Sequence, residues 1–133
     1  RYATFGASTE QLAVTGNLKF DLMIADELLI KAAALREQLG KDRFIWIAAS
    51  THDGEESTIL FAHEKLREIN KDALLILVPR HPDRFNEIAE MSAKYFKTER
   101  RSETKDKNID ADTGVYLGDT MGEMLIMYAA SDI

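Results

Sequence analysis

The chain has no cysteine, two prolines and a single tryptophan in 133 residues. Without cysteine there are no disulfides, no thiolate metal ligands and no cysteine nucleophile, a pattern that fits a reducing compartment. No apolar run approaches the roughly 20 residues a helix needs to span a bilayer, and no secretory signal is read at the start. Basic charge is short: 17 Lys and Arg against 23 Asp and Glu give a formal net charge of −6. That balance argues against a general nucleic-acid binder, whose affinity rests on a basic surface. A small anion needs only a local cluster of positive charge and stays open as a ligand. Three signatures are also missing. No Gly-x-Gly-x-x-Gly follows a strand, no Walker lysine loop exists, and no serine sits in a Gly-x-Ser-x-Gly elbow, so dinucleotide, P-loop and hydrolase readings lose support.

What is present is a globular composition, 45% hydrophobic and 30% charged, long enough for one domain with a real core. Arg1 stands where an initiator methionine would, so the expectation is a piece of something longer. The far end reads the same way: after a helical stretch Met124 to Ala130, Ser131-Asp132-Ile133 resembles a strand just beginning.

Both prolines fall in Leu74-Leu-Ile-Leu-Val-Pro79-Arg80-His81-Pro82. Five apolar residues in a row predict a central strand buried on both faces. Pro79 cannot extend a ladder, and Pro82 suits the first turn of a following helix, which puts Arg80 and His81 on a short strand-to-helix loop. Further elements follow from pattern. Leu12-Ala13-Val14 predicts a strand closed by Thr15-Gly16-Asn17. Leu28, Ala32, Leu35 and Leu39 predict a helix ended by Gly40. Phe44 to Ala49 reads as an interior strand. Ser50 to Glu56 reads as a helix start with hydroxyl caps and early acids, and Ile59, Ala62, Leu66 and Ile69 as that helix's buried face. Phe85, Ile88, Ser92 and Tyr95 mark the next helix. A strand near Thr98 to Arg101 with a surface loop after it, and a strand within Gly114 to Gly118, complete the order βαβαβαββα. The fold class is α/β: a Rossmann-like, doubly wound, mainly parallel sheet with helices on both faces.

Such a sheet brings the loops Ser50 to Glu55, Pro79 to Pro82 and Asp119 to Glu123 to one edge, the edge where ligands bind. Each residue has a plain alternative. Ser50 and Thr51 suit capping. Arg80 suits either an ion pair with Asp83 or a charge-assisted hold on phosphate. His52 and His81 suit hydrogen bonding better than a metal site, and no cofactor is called for. Gly122 suits a turn or the close approach of a ligand, and Glu123 a first-turn acid or an acceptor for a ribose hydroxyl or base amine. Met121 and Met124 are more often core than ligand contacts. Glu55 and Glu56 read as structural, His63 as a packing residue. Lys97, Arg100, Arg101, Lys105 and Lys107, interrupted by acids, read as a solvated face. A two-component receiver domain has this length and alternation, but Ser50-Thr51 and Pro79-Arg80 stand where its phosphoacceptor cluster would be needed.

Five ordered blocks carry a resemblance: Thr15 to Asp21, Ile47 to Glu56, Leu75 to Phe85, Arg101-Ser102 and Asp119-Thr-Met-Gly-Glu123. Together they resemble the C-terminal half of the lipid A Kdo transferases. The resemblance implies a GT-B glycosyltransferase of two Rossmann-like halves, residues 1–133 belonging to the half that binds CMP-Kdo. It implies metal-independent transfer to a lipid A precursor at the cytoplasmic face of a Gram-negative inner membrane. Pro79, Arg80, Met121, Gly122 and Glu123 match the family's nucleotide contacts, with Ser50, Thr51 and His81 as a second tier. No catalytic residue is expected here: the general base, a glutamate, together with the acceptor site and the membrane attachment, is expected in the other half. A late glycine-rich nucleotide segment has no match in this sequence, so this piece alone is expected to be inactive. The rival is a non-catalytic, small-anion-binding or regulatory Rossmann-like domain.

Overall fold

Every residue of the run Leu74–Pro79 is buried, because strands lie on both sides of it and helices cover both faces. The computed structural model describes residues 3–6, 8, 10, 12, 13 and 25–133. Among them the chain runs through α1 (Asp26–Leu39), β1 (Ile45–Thr51), α2 (Glu55–Ile69), β2 (Leu74–Pro79), α3 (Phe85–Ala93), β3 (Thr98–Arg100), α4 (Arg101–Thr104), β4 (Val115–Leu117) and α5 (Met124–Ala130). A short 3-10 turn, Pro82–Arg84, leads into α3, with Pro82 at its first position as the sequence predicts. The expected strand at Leu12 to Val14 lies partly outside the described residues, and Leu12 and Ala13 are in neither helix nor strand.

The sheet has the order β1-β2-β4-β3, with every pair parallel. Alternation along β2 divides the core. Leu74, Ile76 and Val78 pack with Leu35, Leu39, Met127 and Ala130 from α1 and α5. Leu75 and Leu77 pack on the other face with Leu60 of α2 and Ile88 of α3. The chain moves outward from β1 to β2 to β3 and then returns to place β4 in between. Connections between parallel strands prefer one hand, so reversing direction moves the following helix to the opposite face. The helices that leave β2 and β4 therefore diverge to opposite faces from neighbouring strands, which opens a crevice at the strands' carboxyl ends.

Four local expectations are corrected. The buried face of α2 is Glu56, Leu60 and His63, not Ala62 and Ile69; Ala62 is exposed and Ile69 is 89% exposed. The polar residues found internal partners. His63 is bonded to the Trp46 indole and the Gly114 carbonyl, and Glu56 to Thr51 and Arg84. Ser50 and Thr51 do not cap α2: they end β1, and the helix opens at Gly54 without a side-chain cap. Residues after β3 form the helical turn α4 rather than a loop. On α3, Ile88 and Ser92 are buried as expected, whereas Tyr95 lies past the helix end and is exposed.

Residues 131–133 form no strand, yet Asp132 N–H donates to Ile45 O and Ile47 N–H to Ile133 O, occupying part of the outer edge of β1. No helix among the described residues is long and apolar enough to cross a membrane.

Candidate functional site

The crevice between β2 and β4 is a cleft of about 120 Å³ whose lining includes Ser50, Pro79, Arg80, Met121 and Gly122. Each arrives there for a local reason. A bulge between Ala49 and Thr51 interrupts the β1–β2 register, and Ser50 at its centre has φ 59. A bulge re-aims a side chain, and the Ser50 hydroxyl reaches Met124 Sδ at 3.5 Å. Pro79 ends the ladder, and the Arg80 amide donates to the Thr51 carbonyl at 2.9 Å, fixing the loop's root. Gly118 follows β4 because a Cβ there would lie 2.6 Å from Met127 Sδ and 2.8 Å from Val78 Cγ2. Gly122 has φ +81, a left-handed value that favours glycine, with open space where a Cβ would stand.

The other second-tier residues point elsewhere. Thr51 turns its hydroxyl into α2, donating to Glu56 Oε1 at 2.9 Å. His81 is exposed and does not line the cleft; its ring meets His52 edge-on with centroids 6.0 Å apart. Among the described residues no group of three or more His, Asp or Glu is arranged to hold a metal ion.

Charge in the cleft is set by which cations are already paired. Arg84 is held by Glu56 at 2.8 Å, Asp53 at 3.2 Å and Glu87 at 3.5 Å. Burial alone would raise the Glu56 pKa, but Arg84 and Thr51 outweigh it and hold the carboxyl below its usual range. Arg100 is held by Asp119 at 2.7 Å. Arg80 differs. It is exposed, and among the described residues no carboxylate pairs with it, so the ion pair with Asp83 does not form. Nor does any described acceptor take the amides of Met121 or Gly122. An unpaired arginine and two residues with unbonded amides lining one cleft make an arrangement suited to an anion.

Comparison with known proteins decides the relationship. The chain is 50% identical over 134 residues to 3-deoxy-D-manno-octulosonic acid transferase of Haemophilus influenzae, covering 100% of this chain and 31% of that protein. The Bordetella pertussis protein of the same name is 35% identical over 96% of this chain and 30% of its own length. The chain belongs to the 3-deoxy-D-manno-octulosonic acid (Kdo) transferase family. Its fold matches the crystal structure of the C-terminal CMP-Kdo binding domain of WaaA from Acinetobacter baumannii, with TM-score 0.73 and 37% identity over 82% of this chain and 56% of that one. No family model matches the chain. It thus spans about a third of the length of these Kdo transferases.

Glu123 is more occupied than its sequence suggests. Arg101 donates from Nε at 3.0 Å and Nη2 at 2.8 Å to its two oxygens, and the Thr120 hydroxyl donates to Oε2 as well. Arg101 first, then Thr120, hold its carboxyl below the usual range against the opposing effect of burial. A carboxylate offers about four lone-pair sites, so little is left for a ligand. Asp119, whose side chain is 1% exposed, accepts from Arg100 and from both the amide and hydroxyl of Ser102. Sequence reasoning missed these two anchors. Arg100 and Arg101 were expected on a solvated face, whereas of that run it is Lys97, Lys105 and Lys107 that are exposed, Lys97 pairing with Asp110 and Asp112. The available signal was that Arg101-Ser102 and Asp119 to Glu123 both lie within the blocks shared with the Kdo transferases.

Proposed function

We propose that this chain is the donor-binding domain of a glycosyltransferase that moves Kdo from CMP-Kdo to a lipid A precursor in lipopolysaccharide synthesis. The observation that carries the reading is the unpaired Arg80 sharing a cleft with the unbonded amides of Met121 and Gly122, at a crevice where α/β sheets take nucleotides. In the transfer the bond from the Kdo anomeric carbon to the CMP phosphate oxygen breaks, and negative charge grows on the departing phosphate. Arg80 and the amides would stabilise that charge as it develops.

The acceptor hydroxyl must lose a proton, and the general base for it is assigned to the part of the Kdo transferase outside this chain. The acceptor site and attachment to the cytoplasmic face of the inner membrane are assigned there too. On this reading residues 1–133 belong to one half of a two-half enzyme, bind CMP or CMP-Kdo weakly on their own, and transfer nothing alone. The test is titration of the chain with CMP while following backbone amide resonances. Arg80, Met121 and Gly122 are expected to shift, with inorganic phosphate producing only part of the effect. Unchanged resonances at millimolar CMP would overturn the reading.

A further inference from the structure

The loop from Asp119 to Glu123 is tied down at both ends by the junction of β3 and α4. At its start, Asp119 receives Arg100 Nε at 2.7 Å, the Ser102 amide at 2.9 Å and the Ser102 hydroxyl at 2.6 Å. At its finish, Glu123 receives both Arg101 nitrogens in a fork. Between the two anchors lie Met121 and Gly122, whose amides are unbonded among the described residues. The remaining terminal nitrogen of Arg101, Nη1, donates to the Lys105 carbonyl at the end of α4, so the guanidinium is itself held.

Arg101 does not line the cleft that contains Arg80. It lines a second cleft of about 360 Å³ together with Glu123, and the two clefts have Met121 and Gly122 in common. A loop with a left-handed glycine samples many conformations when loose, and ordering it on binding costs affinity. A planar, bidentate hold removes that cost beforehand.

We infer that Arg101 is a positioning residue for the nucleotide-sugar donor: through its fork on Glu123 it holds the Met121 and Gly122 amides in the conformation that receives the phosphate. This rests on the donor-site reading above. Glu123 then acts as Arg101's partner rather than as a ligand contact in its own right. The Asp119 anchor is buried and belongs to the fold, whereas the Arg101–Glu123 pair sits at the rim, with side chains 16% and 26% exposed. Function and folding therefore separate at this pair.

The experiment is steady-state kinetics of the full-length transferase with CMP-Kdo for wild type, Arg101→Gln, Glu123→Gln and the double variant. Each single change is expected to raise KM for CMP-Kdo about tenfold with kcat within about threefold, and the double to be no worse than either, as for two residues acting as a unit. Arg101→Lys should recover part of the loss, since it restores charge without the fork. It also keeps the test valid should Arg101→Gln fold poorly, which the thermal midpoint reports. An unchanged KM in Arg101→Gln, or a double variant whose loss is the product of the singles, would overturn the inference while leaving the donor site intact. If CMP fails to compete with CMP-Kdo in the wild type, the donor-site reading falls and this role falls with it.

Discussion

The indole Nε1 of Trp46 donates to Nδ1 of His63 at 3.0 Å, and the other imidazole nitrogen reaches the Gly114 carbonyl at 2.8 Å. Since Nδ1 accepts, the proton sits on Nε2, and a fully buried neutral imidazole joins α2 to β1 and to the residue before β4. Burial is the main reason its pKa falls to about 4; Arg67 and Arg43 add to the depression, and the bond to Gly114 opposes it.

A pH dependence of stability follows. Below about pH 6.5 the unfolded chain takes up a proton that the folded chain resists until about pH 4, so stability is full above the first value and declines towards the second. The total for a shift of this size is about 3 kcal/mol. Urea unfolding followed by the fluorescence of Trp46, the chain's one tryptophan, should show the decline, and His63→Gln should flatten it. An equal slope in that variant would remove His63 as the cause.

Arg80→Ala separates binding from folding. Arg80 makes no side-chain pair among the described residues, so stability should stay within about 0.5 kcal/mol. Loss of a charge-assisted contact to phosphate corresponds to about 10- to 150-fold weaker CMP binding. In the full-length Kdo transferase turnover with CMP-Kdo should fall as well. Wild-type turnover would take Arg80 out of the mechanism.

Two glycines in the same region should respond in opposite ways. Gly118→Ala meets Met127 and Val78 in the core and should cost about 1 to 3 kcal/mol through overpacking. Gly122→Ala meets nothing but must hold φ +81, a cost of about 1 to 2 kcal/mol if the backbone stays put. The added methyl stands beside the cleft, so calorimetry with CMP should register a loss of affinity in Gly122→Ala larger than its loss of stability suggests.

Glu56 should matter to the fold and not to the ligand. Its side chain is 1% exposed and shared between Arg84 and Thr51. Glu56→Ala leaves the Arg84 guanidinium without its main partner, and a lower thermal midpoint is expected. Replacing both residues by methionine should recover part of the loss. A double variant less stable than Glu56→Ala would contradict that account.

The sheet was legible because its strands announce themselves: Leu74 to Val78 is an unbroken apolar run, and Pro79 and Pro82 bracket the loop after it. The convergence of Arg80 with Gly122 was legible too, since alternating strands and helices dictate which loops share an edge. The face of α2 was not. Apolar spacing selected Ala62 and Ile69, while the true face carries Glu56 and His63; the sequence reads these as a structural and a packing residue, but their partners on other elements, Arg84 and Trp46, are revealed by no local pattern. For the same reason the basic residues 100 and 101 looked solvent-facing. Their acids, Asp119 and Glu123, lie about 20 residues further on and meet them only because β3 and β4 are neighbours.

Both rims of the sheet are blunted against accidental strand addition. On one side the backbone of Asp132 and Ile133 already occupies hydrogen-bonding positions of Ile45 and Ile47. On the other, β3 is only three residues long, and two of them, Glu99 and Arg100, are charged. A hydrophobic ribbon from another molecule finds no long, bare margin to join on either side, so the apolar centre that orients the cleft does not become a seed for aggregation.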